Sequence, residues 1–129
     1  MSLQPGNFLI KNVTTGFYIL PNNFTTSDSD QQVSTTLNVG IRDDPVINVS
    51  VNLDGLYNLK SPAGLYIAAI GTALKWQDSP YDWDIKVSDG GFWIIIPHDA
   101  PQVSVAHGAQ LSLNETATAS NWEFIPASD

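Results

Sequence analysis

Between residues 76 and 82, the sequence places an aromatic ring beside a polar, acidic connection. Trp76 precedes one carboxylate at Asp78, and a second carboxylate follows at Asp82. The apolar face of a sugar ring stacks on an aromatic side chain, while carboxylate oxygens accept hydrogen bonds from its hydroxyl groups. Trp76, Asp78 and Asp82 therefore predict a saccharide-binding site. The alternative is that Trp76 fills the interior of the fold, as most Trp side chains do.

The residues that could act in catalysis or bind a metal do not form a recognisable set. His98, Asp99, Ser104 and His107 have neither the spacing of a metal site nor the pattern of a catalytic triad. The chain has no cysteine, which excludes disulfides, thiolate metal sites and Cys nucleophiles. No pair of carboxylates is distinguished as the two groups that glycoside hydrolysis needs. We therefore expect a non-catalytic protein with no cofactor and no metal.

The charge of the chain limits its partners. Thirteen acidic residues against five basic ones give a net charge of −8, and no Lys/Arg cluster reverses it locally. Such a surface repels a nucleic acid backbone and an anionic membrane. The longest apolar stretch, 92–97, is too short to span a bilayer, and the first residues show no signal-peptide pattern. We expect a cytoplasmic domain that neither binds nucleic acid nor inserts into membranes.

Three related units follow one another along the chain, and each contains the same series of sequence patterns. A Gly-x-aromatic-x-Ile/Leu pattern begins at Gly6, Gly55 and Gly91, at separations of 49 and 36 residues. A second pattern occurs at 16–20 and 64–68, with a degraded copy at 101–105. A third pattern closes each unit, and its first residues are Ile47, Trp83 and Trp122. The chain is thus predicted to be one domain, 1–129, with repeats of roughly 6–54, 55–90 and 91–126.

Every matched segment alternates apolar and polar residues, which is typical of a strand with one buried face. With the turn signals between them, the segments predict twelve strands, near 7–12, 17–20, 33–39, 45–52, 56–61, 65–70, 73–77, 83–88, 92–97, 102–106, 110–114 and 121–126. Three groups of four strands predict an all-β fold, the β-trefoil, in which three hairpins cap a six-stranded barrel. A two-sheet sandwich is the alternative, but it does not account for a threefold repeat.

Two groups of fungal proteins share residues with this chain. The segments around Trp83 and Trp122 resemble the last strand of each repeat in ricin-B-type lectins, although the Gln expected two residues before each Trp is absent. Small mushroom lectins of this group share the Tyr81-x-Trp83 run. The stretches 3–8, 68–71 and 102–105 are similar to mushroom serine-protease inhibitors of the cospin type. Both groups are β-trefoils regarded as part of fungal chemical defence.

The resemblance to the lectins implies two further site residues. In those lectins the region of the second repeat that contains Tyr81 and Trp83 contributes ligand contacts. For Trp83, packing in the core is the alternative, because large aromatic residues dominate core energetics. The complete candidate ligand-binding set is Trp76, Asp78, Tyr81, Asp82 and Trp83.

The resemblance to the inhibitors implies an alternative site in the connection between the second and third strands, 21–32. An inhibitor of a trypsin-like protease needs a Lys or Arg there, and this connection has neither. Phe24 suits a chymotrypsin-like pocket, and Asn22 or Asn23 suits an asparagine-specific protease. A solvated connection with no role in recognition is the alternative.

Three functions remain open from the sequence. The first is a lectin-like protein that binds a glycan or glycoprotein in fungal defence, and the second is a peptidase inhibitor that acts through residues 21–32. The third is a binder of a flat hydrophobic small molecule, which the aromatic content of 10% suggests.

Overall fold

The computed structural model describes residues 3–20, 32–36, 46–88, 90–107, 111–114 and 120–127. These ranges contain strands and turns, and among them is no helix long and apolar enough to cross a membrane. The strands are β1 (Gly6–Asn12), β2 (Tyr18–Leu20), β3 (Ser34–Thr36), β4 (Val46–Val51), β5 (Tyr57–Lys60), β6 (Tyr66–Ile70), β7 (Ala73–Gln77), β8 (Trp83–Val87), β9 (Trp93–Pro97), β10 (Ser104–His107), β11 (Leu111–Asn114) and β12 (Trp122–Pro126). Each strand overlaps one of the twelve predicted from the sequence.

Six of these strands close into a barrel. β1 pairs with β4, β4 with β5, β5 with β8, β8 with β9, β9 with β12, and β12 returns to β1, every pair antiparallel. The other six form the hairpins β2–β3, β6–β7 and β10–β11. This arrangement confirms the predicted β-trefoil. The alternative of a sandwich is wrong, because the six strands close into one continuous ring and the described strands form a single sheet.

The register of the barrel shows the threefold relation directly. Ile47, Trp83 and Trp122 are each fully buried at the start of their strands. Their cross-strand partners are the aromatic residues of the Gly-x-aromatic segments, in the pairs Phe8–Ile47, Tyr57–Trp83 and Trp93–Trp122. The three closing residues therefore occupy equivalent positions, as the sequence pattern predicts. The exact repeat limits of 6–54, 55–90 and 91–126 stay a prediction.

Two of the closing residues also tie the barrel to its hairpins. The indole Nε1–H of Trp83 donates to the carbonyl oxygen of Ile67 in β6 at 2.8 Å, and that of Trp122 donates to Val105 in β10 at 3.1 Å. All four residues are buried. Each bond thus satisfies a polar group of an otherwise apolar ring inside the core, where an unpaired donor would be costly.

The glycines that open the second and third repeats have a conformational role. Gly55 and Gly91 have φ of 79° and 86°. Each N–H donates to the residue three positions earlier, Asn52 at 3.1 Å and Ser88 at 3.2 Å. Residues with a Cβ rarely adopt this left-handed conformation, so these turns require glycine.

Candidate binding site

The pairing of β8 with β9 brings two short polar segments together. Because Trp83 lies opposite Pro97, the residues just before β8 lie beside those just after β9. The N–H of His98 donates to the carbonyl oxygen of Asp82 at 3.2 Å, which extends the strand pairing by one residue. Here a depression of about 230 Å³ opens to solvent, lined by Pro80, Tyr81, Asp82, His98 and Asp99.

Tyr81 forms the aromatic part of this depression. The side chain is half-buried, and its ring lies against that of Trp83, with 4.9 Å between the ring centroids and 59° between the planes. Its hydroxyl donates to Asp99 Oδ1 at 2.7 Å. Burial raises the pKa of Tyr81, and the hydrogen bond to Asp99 and the charges of Asp99 and Asp82 raise this pKa further. The phenol therefore keeps its proton and holds the Asp99 carboxylate in place.

Two asparagine side chains hold Asp82. Asn58 Nδ2 donates to Asp82 Oδ1 at 3.1 Å and to the carbonyl oxygen of Tyr81 at 2.7 Å. Asn52 Nδ2 donates to the same Oδ1 at 3.3 Å. The Asn52 Oδ1 in turn accepts from the N–H groups of Asp54 and Leu56 at 2.9 and 3.0 Å, so the β4–β5 turn fixes this donor. The Asp82 carboxylate is therefore oriented before any ligand arrives.

One oxygen of each carboxylate is left for a ligand. Within the part of the chain that the structure describes, the second oxygens of Asp82 and Asp99 have no hydrogen-bond partner. Both aspartates line the depression, together with an aromatic ring and a proline. This combination suits a ligand that carries several hydroxyl groups on a small apolar frame.

The structure separates the five residues predicted for this site. Tyr81 and Asp82 line the depression, whereas Asp78 is exposed in the connection after β7 and is not part of the lining. The exposed stacking face predicted for Trp76 is contradicted, because its side chain is only 1% exposed and packs in the core. Trp83 is fully buried, so its ring supports that of Tyr81 rather than facing a ligand.

Pro80, His98, Asp99 and the supporting Asn58 were missed as ligand-site residues. The sequence contained a signal for the position of the adjacent residues His98 and Asp99. The short turn between β8 and β9 fixes the pairing of 83 with 97, and this places 82 beside 98. Asn58 could be placed only through the barrel pairing of Tyr57 with Trp83, which makes residue 58 a neighbour of residue 82.

The described residues leave the inhibitor alternative untested. Asn22, Asn23 and Phe24, the candidate inhibitory residues, lie outside them. A second depression, about 380 Å³, is lined by Val87, Ser88, Ile94 and Asn121, with no aromatic ring or carboxylate. Over the described ranges, no three His, Asp or Glu side chains gather to hold a metal ion.

Comparisons with known proteins place the fold. No family model matches the sequence, and no curated protein matches it significantly. The structure of the Rhizoctonia solani agglutinin is similar, with a TM-score of 0.78 and 15% identity, over 98% of this chain and 99% of that one. SeviL bound to asialo-GM1 saccharide has a TM-score of 0.79 and 16% identity, over 97% of this chain and 100% of that one.

A third similar structure is a much longer enzyme. The GlcNAcα1-4Gal-releasing endo-β-galactosidase from Clostridium perfringens has a TM-score of 0.76 and 19% identity over 95% of this chain. The chain spans only 32% of that enzyme's length. Identities this low establish similarity of fold alone. The chain is therefore a β-trefoil, similar in fold to lectins of this architecture such as the Rhizoctonia solani agglutinin.

Proposed function

We propose that this protein is a non-catalytic, lectin-like β-trefoil that recognises a glycan or glycoconjugate in fungal defence. The observation that carries the proposal is the convergence of Tyr81, Asp82 and Asp99 on one solvent-open depression. The similar folds of an agglutinin and of a protein bound to a saccharide support it. The resemblance of the Tyr81-x-Trp83 run to that of small mushroom lectins supports the fungal setting.

The chemistry of the depression matches a sugar residue. The second oxygens of Asp82 and Asp99 accept hydrogen bonds from two hydroxyl groups, and such bonds to a charged acceptor are stronger than neutral ones. Pro80 and the Tyr81 ring provide apolar contact for the C–H groups of the sugar. Because Tyr81 and Asn58 already hold the two carboxylates, little side-chain entropy is lost on binding.

The size of the depression sets the expected affinity. About 230 Å³ is less than the roughly 300–1,000 Å³ of pockets that enclose a drug-sized ligand, so one sugar residue occupies it. An open site of this kind is expected to bind a single sugar with a Kd on the order of 1 mM, about −4 kcal/mol. A glycoconjugate that presents many copies would be bound far more tightly through avidity.

The same geometry favours binding over hydrolysis. A hydrolase needs one carboxylic acid that delivers a proton to the leaving group. Here each carboxylate accepts a hydrogen bond from a neutral donor and belongs to a residue that lines an open depression, an arrangement suited to holding hydroxyl groups. The endo-β-galactosidase does not argue against this, since the chain matches only part of it.

A glycan array followed by calorimetric titration tests the proposal. The wild-type protein is screened first, and the strongest-binding saccharide is then titrated into Asp99→Ala. The exposed position of Asp99 makes this variant tolerable for the fold. Glu123→Ala is the matched control, because Glu123 is an exposed carboxylate on β12 outside the depression.

We expect array binding by the wild type and a loss of about tenfold or more in affinity for Asp99→Ala, the worth of one hydrogen bond to a charged group. The control should keep wild-type affinity. An array without hits would remove the proposed function. Wild-type affinity of Asp99→Ala for the selected saccharide would show that the binding site lies elsewhere on the protein.

A further inference from the structure

We infer that the depression selects uncharged, hydroxyl-bearing saccharides and discriminates against sialylated, sulfated or uronic-acid-containing glycans. The inference rests on the proposed function and names the class of glycan that this site takes. It follows from the positions and the charges of the two carboxylate residues that line the depression. Because Asp82 and Asp99 contribute acceptor oxygens only, a ligand must supply the donors.

The carboxylates of Asp82 and Asp99 are held in fixed orientations, so they do not rotate away when a ligand binds. Asp82 Oδ1 is bound by two amide groups, from Asn52 and Asn58, and Asp99 Oδ1 is bound by the Tyr81 hydroxyl. A rotation that removed either carboxylate from the depression would break these hydrogen bonds. The two negative charges therefore stay beside any bound ligand.

Among the residues that the structure describes, no fixed cation offsets these charges. The described lining of the depression contains neither Lys nor Arg. Among the described residues the one ion pair joins Lys86 to Asp84 at 3.6 Å, away from the lining. The net charge of −8 adds a long-range repulsion of the same sign.

The expected discrimination is modest and salt-dependent. Two carboxylates roughly 6 Å from an added negative group, in a water-like dielectric, weaken binding about tenfold in total. At 1 M salt the Debye length falls to about 3 Å, so the difference should largely disappear. A hydroxyl group placed at the same position on the sugar would not show this dependence on salt.

The test is an array in which each neutral oligosaccharide is printed beside its sialylated and its sulfated derivative. Binding is measured at pH 8, in low salt and again in 1 M NaCl. The double variant Asp82→Asn, Asp99→Asn removes both charges and keeps a side-chain oxygen at Oδ1 for the Asn and Tyr donors. Glu123→Gln is the control that removes a carboxylate outside the depression.

We expect the wild type and Glu123→Gln to prefer the neutral member of each pair by about tenfold in low salt, and the double variant to lose most of that preference. Equal binding of neutral and anionic members by the wild type, with the neutral binding still lost in Asp99→Ala, would overturn the inference and leave the proposed function standing. Absence of all glycan binding would overturn both. Anionic glycans that bind more tightly than neutral ones would overturn the inference alone.

Discussion

Replacement of Trp83 by phenylalanine tests how the barrel is held to its second hairpin. The Trp83 ring is fully buried, and its Nε1–H donates to the Ile67 carbonyl oxygen at 2.8 Å. Phenylalanine keeps an aromatic ring at this position but has no N–H group. The carbonyl oxygen of Ile67 would then lose this bond inside the core, and the smaller ring would leave a gap.

The magnitude follows from these two losses. A buried polar group that loses its partner costs about 1–3 kcal/mol. A gap the size of a methyl group or slightly larger adds about 1 kcal/mol. The total, about 2–4 kcal/mol, is a large part of the 5–15 kcal/mol by which such domains are stable. With a shift of about 4 °C per kcal/mol, the melting temperature should fall by about 8–16 °C.

Urea denaturation, monitored by tryptophan fluorescence, measures the difference in the free energy of unfolding between the wild type and the variant. Trp93→Phe is the matched control, because Trp93 is half-buried and its indole has no described hydrogen-bond partner. The control should cost clearly less than Trp83→Phe. A loss below about 1 kcal/mol for Trp83→Phe, or equal losses for the two variants, would refute the role given to this hydrogen bond.

Three further predictions concern the depression. Tyr81→Phe releases Asp99, so affinity for the array-selected saccharide should fall about three- to tenfold in calorimetric titration, while the melting temperature changes by less than about 4 °C. Asn58→Ala removes the donor to Asp82 Oδ1 and to the Tyr81 carbonyl, and should lower both the free energy of unfolding, by about 1–3 kcal/mol, and the affinity. Because the pKa of Tyr81 is raised by folding, the unfolded chain loses this proton first as pH rises. Stability should therefore be full below about pH 10 and decline above it. Because burial also raises the pKa of Tyr57, ultraviolet titration of phenolate should show a late-ionising component that is smaller, not absent, in Tyr81→Phe.

The fold could be predicted because its determinants repeat along the chain. Gly55 and Gly91 occupy turns that need φ near 80°, and the aromatic residue two positions later pairs with the closing residue on the neighbouring strand. The alternation of apolar and polar residues within 73–77 in fact predicts that Trp76 is buried. Leu74 and Trp76 share one face of β7 and alternate with Lys75, so burial of the tryptophan follows from the same rule that gave the strands.

The site could be predicted only in part, because no repeat pattern encodes it. Asp82 carries suitable chemistry, and the resemblance to the mushroom lectins implied Tyr81. The role of Asn58 depends on atoms that are 24 residues apart in the chain and 3.1 Å apart in space. Such a contact requires the barrel register and the side-chain rotamers together. The local composition of the sequence specifies neither the register nor the rotamers.

The central claim is that the depression between 80–82 and 98–99 binds a saccharide. Amide chemical-shift mapping by NMR, with the array-selected saccharide titrated into the wild-type protein, tests it most directly. We expect the largest shifts at Tyr81, Asp82, His98 and Asp99, with saturation at one site. Shifts confined to residues 21–32, or to the depression around Val87 and Asn121, would contradict the claim.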